Sequence, residues 1–222
     1  MSGLAGCQRC GACCRQGGPA LHGEDLALIS SGQLRLDDLI TVRQGELAFQ
    51  PLATVATPVL HEFLKLQGRE GTWCCTFYDE TARGCLRYDH RPLACGLLDC
   101  TDTGPLLDIA GQDLLTRFDC IDRDDPILAL ILNHQEHNPC RDIQTVSDDF
   151  AQIGARVEIL AGLLEDVNID LAFRSRTAGI FHLSVALELF YFGRPLFQLL
   201  LPLGIQPYDT HDGLRLGYRA PT

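Results

Sequence analysis

Cys7-Gln8-Arg9-Cys10-Gly11-Ala12-Cys13-Cys14 is the stretch on which the reading of this chain turns. Cysteines three residues apart in a tight turn can direct their sulfurs at one centre. Gly11 opens backbone torsions closed to other residues, and amides in such turns can face the sulfurs. Thiolates suit zinc, copper(I) and iron–sulfur clusters, and a bound cation lowers the thiol pKa and holds the thiolate form. The spacing therefore predicts a metal-organised loop.

Outward from that stretch, the cysteines continue. The chain has 222 residues and eleven cysteines, nine of them within residues 7–100. The second group runs Cys74-Cys75-Thr76-Phe77-Tyr78-Asp79, then Cys85-Leu86-Arg87-Tyr88, then Arg91-Pro92-Leu93-Ala94-Cys95, then Cys100. Alone this spacing says little; downstream of the first group it supplies the remaining ligands. Arg91 is placed to offset the charge of several thiolates and Pro92 to fix the turn before Cys95, whereas Tyr88 reads as a core residue. MSGLAGCQRC has no basic run and no apolar run, so no secretory leader is expected and the chain reads as cytoplasmic, where thiols stay reduced. An odd cysteine count and the adjacent pairs Cys13-Cys14 and Cys74-Cys75 fit a disulfide framework poorly.

CxxCGxCC followed by C-x-F-Y-D, C-x-x-Y, RP-x-x-C and a trailing cysteine resembles the zinc- or iron-chelating CxxCxxCC family, often called YkgJ-like, over about residues 7–100. GGPALHGEDL after the first motif, and GRPL at 193–196, resemble a longer subgroup of these proteins. Carried over position by position, the resemblance implies Cys7, Cys10, Cys13, Cys14, Cys75, Cys85, Cys95 and Cys100 as metal ligands. CCTFYD departs from the pattern, because Cys74 and Cys75 compete for one position. As to the metal, Cys7-x2-Cys10-x2-Cys13 matches the first three ligands of the bacterial ferredoxin run, whose fourth is remote. Structural zinc is more often held by two CxxC pairs, and the second group contains none. An iron–sulfur cluster is thus preferred over zinc. Eight cysteines allow one four-thiolate cluster with spares or two four-thiolate sites.

The formal net charge is −11. Residues 1–104 carry 12 acids and 9 bases, and residues 105–222 carry 17 acids and 9 arginines. Neither half offers the basic footprint that a general nucleic-acid binder needs. The most apolar stretch, residues 180–204, is interrupted by His182, Glu188, Gly193, Arg194, Pro195 and Pro202, so packed helices are expected and not a membrane span.

Periodicity predicts a helix over 24–31 stopped by Gly32, a further helical turn over 36–42, and strands at GELAF and EFLKLQ within 43–67. Residues 71–104 read as loop-rich. Further helices are expected over 125–135, from Ser147 to about Phe173, over 181–191 and over 195–201, with a closing hairpin around Asp212-Gly213. The expectation is an α+β protein, mainly helical, with a loop-rich, metal-organised cysteine module at 1–104 and an acidic helical region at 105–222. The two parts can also form one continuous domain. His134, His137 and Cys140 carry a metal-like spacing, but they sit at a helix end, where polar residues are common. Cys120 and Cys140 read as packed thiols. Two functions remain open: a thiolate-held centre with a structural, redox-sensing or electron-transfer role, or an enzyme using such a centre on a peptide or small molecule.

Overall fold

A computed structural model describes residues 7, 9–50, 53–69, 72–140, 145, 146, 148, 150, 156–211 and 213–219. Gly11, in the left-handed conformation, opens α1 (Ala12–Gln16), and a 3-10 turn at Gly23–Asp25 runs into α2 (Leu26–Ser30). A second turn at Leu36–Asp38 leads into β1 (Leu39–Val42), followed by β2 (Leu47–Phe49), β3 (Ala56–Pro58) and β4 (Phe63–Leu66). The cysteine-rich stretch holds β5 (Tyr78–Asp79), β6 (Gly84–Cys85) and α3 (Leu93–Leu97). Beyond it lie α4 (Gly104–Ile109), α5 (Ile127–His137), α6 (Arg156–Phe181), α7 (Val185–Phe192), α8 (Leu196–Leu200), β7 (Ile205–Thr210) and β8 (Gly213–Tyr218). Helix makes up 46% and strand 18%, so the fold is α+β and mainly helical. Among the described residues no helix is long and apolar enough to cross a membrane.

The strands form small antiparallel pairs, β1 with β4, β2 with β3, β5 with β6 and β7 with β8. Residues 36–42, expected as helix, divide into a 3-10 turn and β1. The sequence Leu-Ile-Thr-Val is largely β-branched, and pairing Leu39 with Leu66 and Val42 with Phe63 buries its ends. The helices expected over 147–173 and 181–191 are also redrawn. Residues 147, 149 and 151–155 lie outside the described part, and α6 runs on to Phe181. The chain then reverses at His182 (φ 51°), and Ser184 caps α7 by accepting from the Leu187 N–H. Leu163 and Val167 of α6 face the core, and Val157 near its start is 80% exposed.

Two apolar clusters fill the interior. The first joins Leu21, Leu34, Leu39, Leu64, Leu66 and Tyr78 to Leu115, Ile127, Ile131, Phe190 and Phe192. Residues from both sides of position 104 thus share the core beneath the cysteine-rich loops. The second packs Leu163 and Val167 of α6 against Leu196, Leu199 and Leu200 of α8 and Ile205 and Leu216 of the closing hairpin.

A buried polar chain crosses between the helices. Asp170 and Arg174 stand one turn apart on α6 and pair at 2.9 Å. The Arg174 guanidinium donates to the carbonyls of Phe192, Gly193 and Arg194, and the Leu196 N–H donates to Asp170. This arrangement ties α6 to the loop between α7 and α8. His134 of α5, fully buried between the rings of Phe173 and Phe192, lies with Nε2 2.7 Å from Asp170 Oδ1. Burial holds the His134 pKa down at about 4, despite the raising effect of Asp170, so Nε2 carries the proton of a neutral ring and donates it.

The unfolded chain therefore binds a proton at His134 between its ordinary pKa and about 4, where the native protein does not. This site's contribution is complete above about pH 6.5 and is lost progressively as pH falls towards 4. Burial alone would raise the Asp170 carboxyl, but bonds from His134, Arg174 and Leu196 pull it well below its usual range. Its contribution is lost at still lower pH. Denaturant unfolding should show wild-type stability falling between pH 6.5 and 4, and His134→Gln should flatten that slope. An identical pH profile for the two proteins would contradict this account.

Candidate metal centre

The cysteine-rich loops are held by a few local bonds. After Gly11 the chain turns into α1, which carries Cys13 and Cys14, and Arg15 N–H bonds the Gly11 carbonyl. Cys75 N–H donates to the Cys14 carbonyl at 2.7 Å, which docks the second cysteine group against the first. Three residues on, the β5–β6 hairpin pairs Tyr78 with Cys85 and brings Cys85 alongside. Cys95 comes in on α3. The first amide of that helix, Leu93 N–H, donates to Asp25 Oδ1 at 2.8 Å, while Asp25 Oδ2 accepts from His22 N–H at 2.9 Å. Asp25 is buried, so one carboxylate fixes the helix carrying Cys95 to the start of α2.

These elements enclose a pocket lined by Cys7, Cys10, Cys13, Cys14, Cys85, Cys95 and Cys100, with Arg9, Gly11, Tyr78, Tyr88, Arg91 and Leu98. Cys75 is buried and lies within electrostatic reach of Cys13, Cys14, Cys85 and Cys95. Cys74 is buried too, and Cys75 is the thiol it influences among these shifts. The structure therefore gathers the eight residues that the motif singled out. Cys120 and Cys140 stand apart. Cys120 Sγ is 3.8 Å from the Thr116 carbonyl, and Cys140 packs on the second cluster near Gly45. Burial pushes both of these thiols up to about 11. His134 points into the buried chain described above, and His137 is exposed with Nδ1 on the Asn133 carbonyl, so the spacing His134, His137, Cys140 assembles no common site.

Burial and the neighbouring thiols push Cys14 up to about 12, and Cys95 and Cys75 rise for the same reasons. Several thiols around one pocket thus stay protonated unless a cation joins them. Binding a metal must release their protons, so affinity rises with pH. Among the described residues, no three side chains of His, Cys, Asp or Glu converge as a single-ion site. The pocket lining holds seven thiols and no His, Asp or Glu, and thiolates suit zinc, copper(I) or an iron–sulfur cluster.

Cations of the protein's own ring the pocket. The Arg9 and Arg91 guanidiniums lie 4.0 Å and 3.9 Å from the centroid of the Tyr88 ring, close enough that each needs its own face. Arg15 bridges the Cys10 carbonyl and the Tyr78 hydroxyl, each at 3.2 Å. Sequence reasoning singled out Arg91 and passed over Tyr88, Arg9, Arg15, Tyr78 and Asp25. Arg9 and Arg15 stand inside or beside the first motif, a signal that was there to be used. Asp25 sits 68 positions from the amide it holds and carried no local signal.

Compared with known families, residues 6–110 match the model described as "CxxCxxCC: Putative zinc- or iron-chelating domain". No curated protein and no solved structure matches the chain.

Gly11 supplies a direct test of the pocket's packing. It has φ 75°, and an added Cβ would stand 2.1 Å from the Tyr78 hydroxyl. Gly111 has φ 74° with nothing within 4 Å. Gly111→Ala should cost about 1 kcal/mol from its left-handed backbone conformation alone. Gly11→Ala should lower the thermal midpoint further and reduce bound metal. Equal effects of the two substitutions would contradict this packing.

Proposed function

We propose that this pocket, within residues 6–110 that match the zinc- or iron-chelating CxxCxxCC model, binds an iron–sulfur cluster through Cys7, Cys10, Cys13, Cys14, Cys75, Cys85, Cys95 and Cys100, or a subset of them, in a structural, redox-sensing or electron-transfer role. The observation that supports the reading is the gathering of Cys7, Cys10, Cys13, Cys14, Cys85, Cys95 and Cys100, from separate stretches of chain, around one pocket with no His, Asp or Glu among its lining residues. A cluster adds negative charge through its sulfides and thiolates. Arg9 and Arg91, stacked on Tyr88 at the same pocket, supply the offsetting charge. Cys10 and Cys100 are exposed, which suits exchange of electrons with a partner at the surface. In this reading residues 1–104 are the metal-binding module and the helices of 105–222 support it from beneath.

Protein purified without oxygen should be brown and contain iron and sulfide in similar amounts. A colourless preparation with stoichiometric zinc and no sulfide would overturn the cluster.

Adjacent side chains of an extended segment point to opposite sides, and Cys75 is the one near Cys13, Cys85 and Cys95. Metal content should therefore fall in Cys75→Ser and survive in Cys74→Ser. The reverse result would place the ligand register one residue away.

A further inference from the structure

The long helix α6 has two unlike faces. Leu163, Val167, Asp170, Arg174 and Thr177 are buried on one side. On the opposite side Ala161, Glu165, Ile169, Ala172, Arg176 and Ile180 are exposed. Set out at about 100° per residue, these six fall within one arc of about 100° and run roughly 28 Å along the axis. Ile169 is 48% exposed and Ile180 65%. A shallow open groove on the same helix is lined by Ala161, Leu164, Glu165, Asn168, Ile169 and Ala172. Single exposed apolar residues are ordinary on a protein surface; what sets this stripe apart is its order.

From Ala161 onward the stripe reads small, acid, large, small, base, large. Glu165 and Arg176 are about 16 Å apart along the axis, too far to pair with each other. Among the described residues neither has an ion-pair partner. A second α6 laid antiparallel on this face can set its Arg176 opposite Glu165. The same register puts Ile169 against Ala172 of the second copy and Ile180 against its Ala161. Two-fold symmetry then repeats every pairing in reverse. Each large side chain meets a small one and each charge meets its opposite, while the alanines let the two axes approach to about 8 Å. A parallel arrangement about a two-fold axis would set Glu165 against Glu165.

We propose that α6 docks on α6 of a second copy of this chain, antiparallel about a two-fold axis, through the stripe from Ala161 to Ile180. Charge complementarity selects that occupant. A purely apolar partner helix would cover Glu165 and Arg176 without pairing them, and covering an unpaired charge is costly. A second copy answers both charges at once and fixes the register by doing so. None of the six stripe residues lines the cysteine pocket, so the pairing stands apart from the metal reading.

The test is sedimentation equilibrium of the full chain, purified without oxygen and kept with a thiol reductant so that no disulfide joins two copies. Wild type should show twice the 24.5 kDa mass of one chain. Glu165→Arg and Arg176→Glu each set like charges together twice across the axis and should weaken the dimer about tenfold or more. The double variant restores opposite charges with the signs exchanged and should recover the dimer. Both positions are exposed, so the circular dichroism of all three variants should match wild type. A wild type that stays monomeric at every concentration would overturn the proposal. So would a dimer that both single reversals leave unaltered, which would place the contact on another face, or a double variant that associates no better than the singles.

Discussion

Thiols crowded into one pocket cannot ionise together without a cation. Each thiolate formed raises the cost of the next, and burial raises it again; Cys14 reaches about 12 under these two influences. Everything around the pocket answers that constraint. Arg9, Arg15 and Arg91 approach with guanidiniums, and the Tyr88 and Tyr78 rings give all three surfaces to rest on. Metal binding is then coupled to proton release and to the order of the loops, because the same bonds serve both.

The fold's task is to hold these loops close enough for the constraint to apply. It does so with single bonds placed where long-range pieces meet. One buried carboxylate, Asp25, fastens α3; one backbone bond joins Cys75 to the end of the first motif; one missing side chain, at Gly11, lets the Tyr78 ring close over α1. Beneath them the first apolar cluster draws Leu21, Leu39 and Leu64 together with Ile127, Ile131, Phe190 and Phe192, so the loops rest on helices from the far part of the chain.

The acidic helical part meets its own charge problem internally. Asp170, Arg174 and His134 are all but inaccessible, yet the carboxylate is matched by the guanidinium and the imidazole remains neutral. The guanidinium's other donors satisfy carbonyls left bare where the chain turns between α7 and α8. Removing one member of such a buried set leaves an uncompensated charge, which commonly costs several kcal/mol. A network of this kind specifies how α5, α6 and the α7–α8 turn sit against one another.

Much of this was legible in the amino-acid sequence, for local reasons. The spacing of Cys7, Cys10, Cys13 and Cys14 pointed to cysteines meeting around one pocket, because turns a few residues long set where their sulfurs go. The helix over 127–137 and the closing hairpin were legible because periodicity and turn residues act within one element. Residues 36–42 were misread because Leu39–Val42 becomes a strand only when Phe63–Leu66 pairs with it. Nothing in the local pattern of α6 marks Asp170 and Arg174 as buried; His134 and the α7–α8 turn enclose them. The sequence by itself determined that the chain carries a spaced set of cysteines and folds as helices with short strands, since both follow from residue type and spacing. Only the tertiary structure decided which distant groups meet them, Asp25 with α3 and Arg9 and Arg91 on Tyr88, because those contacts depend on how separate segments pack and leave no period or motif in the chain.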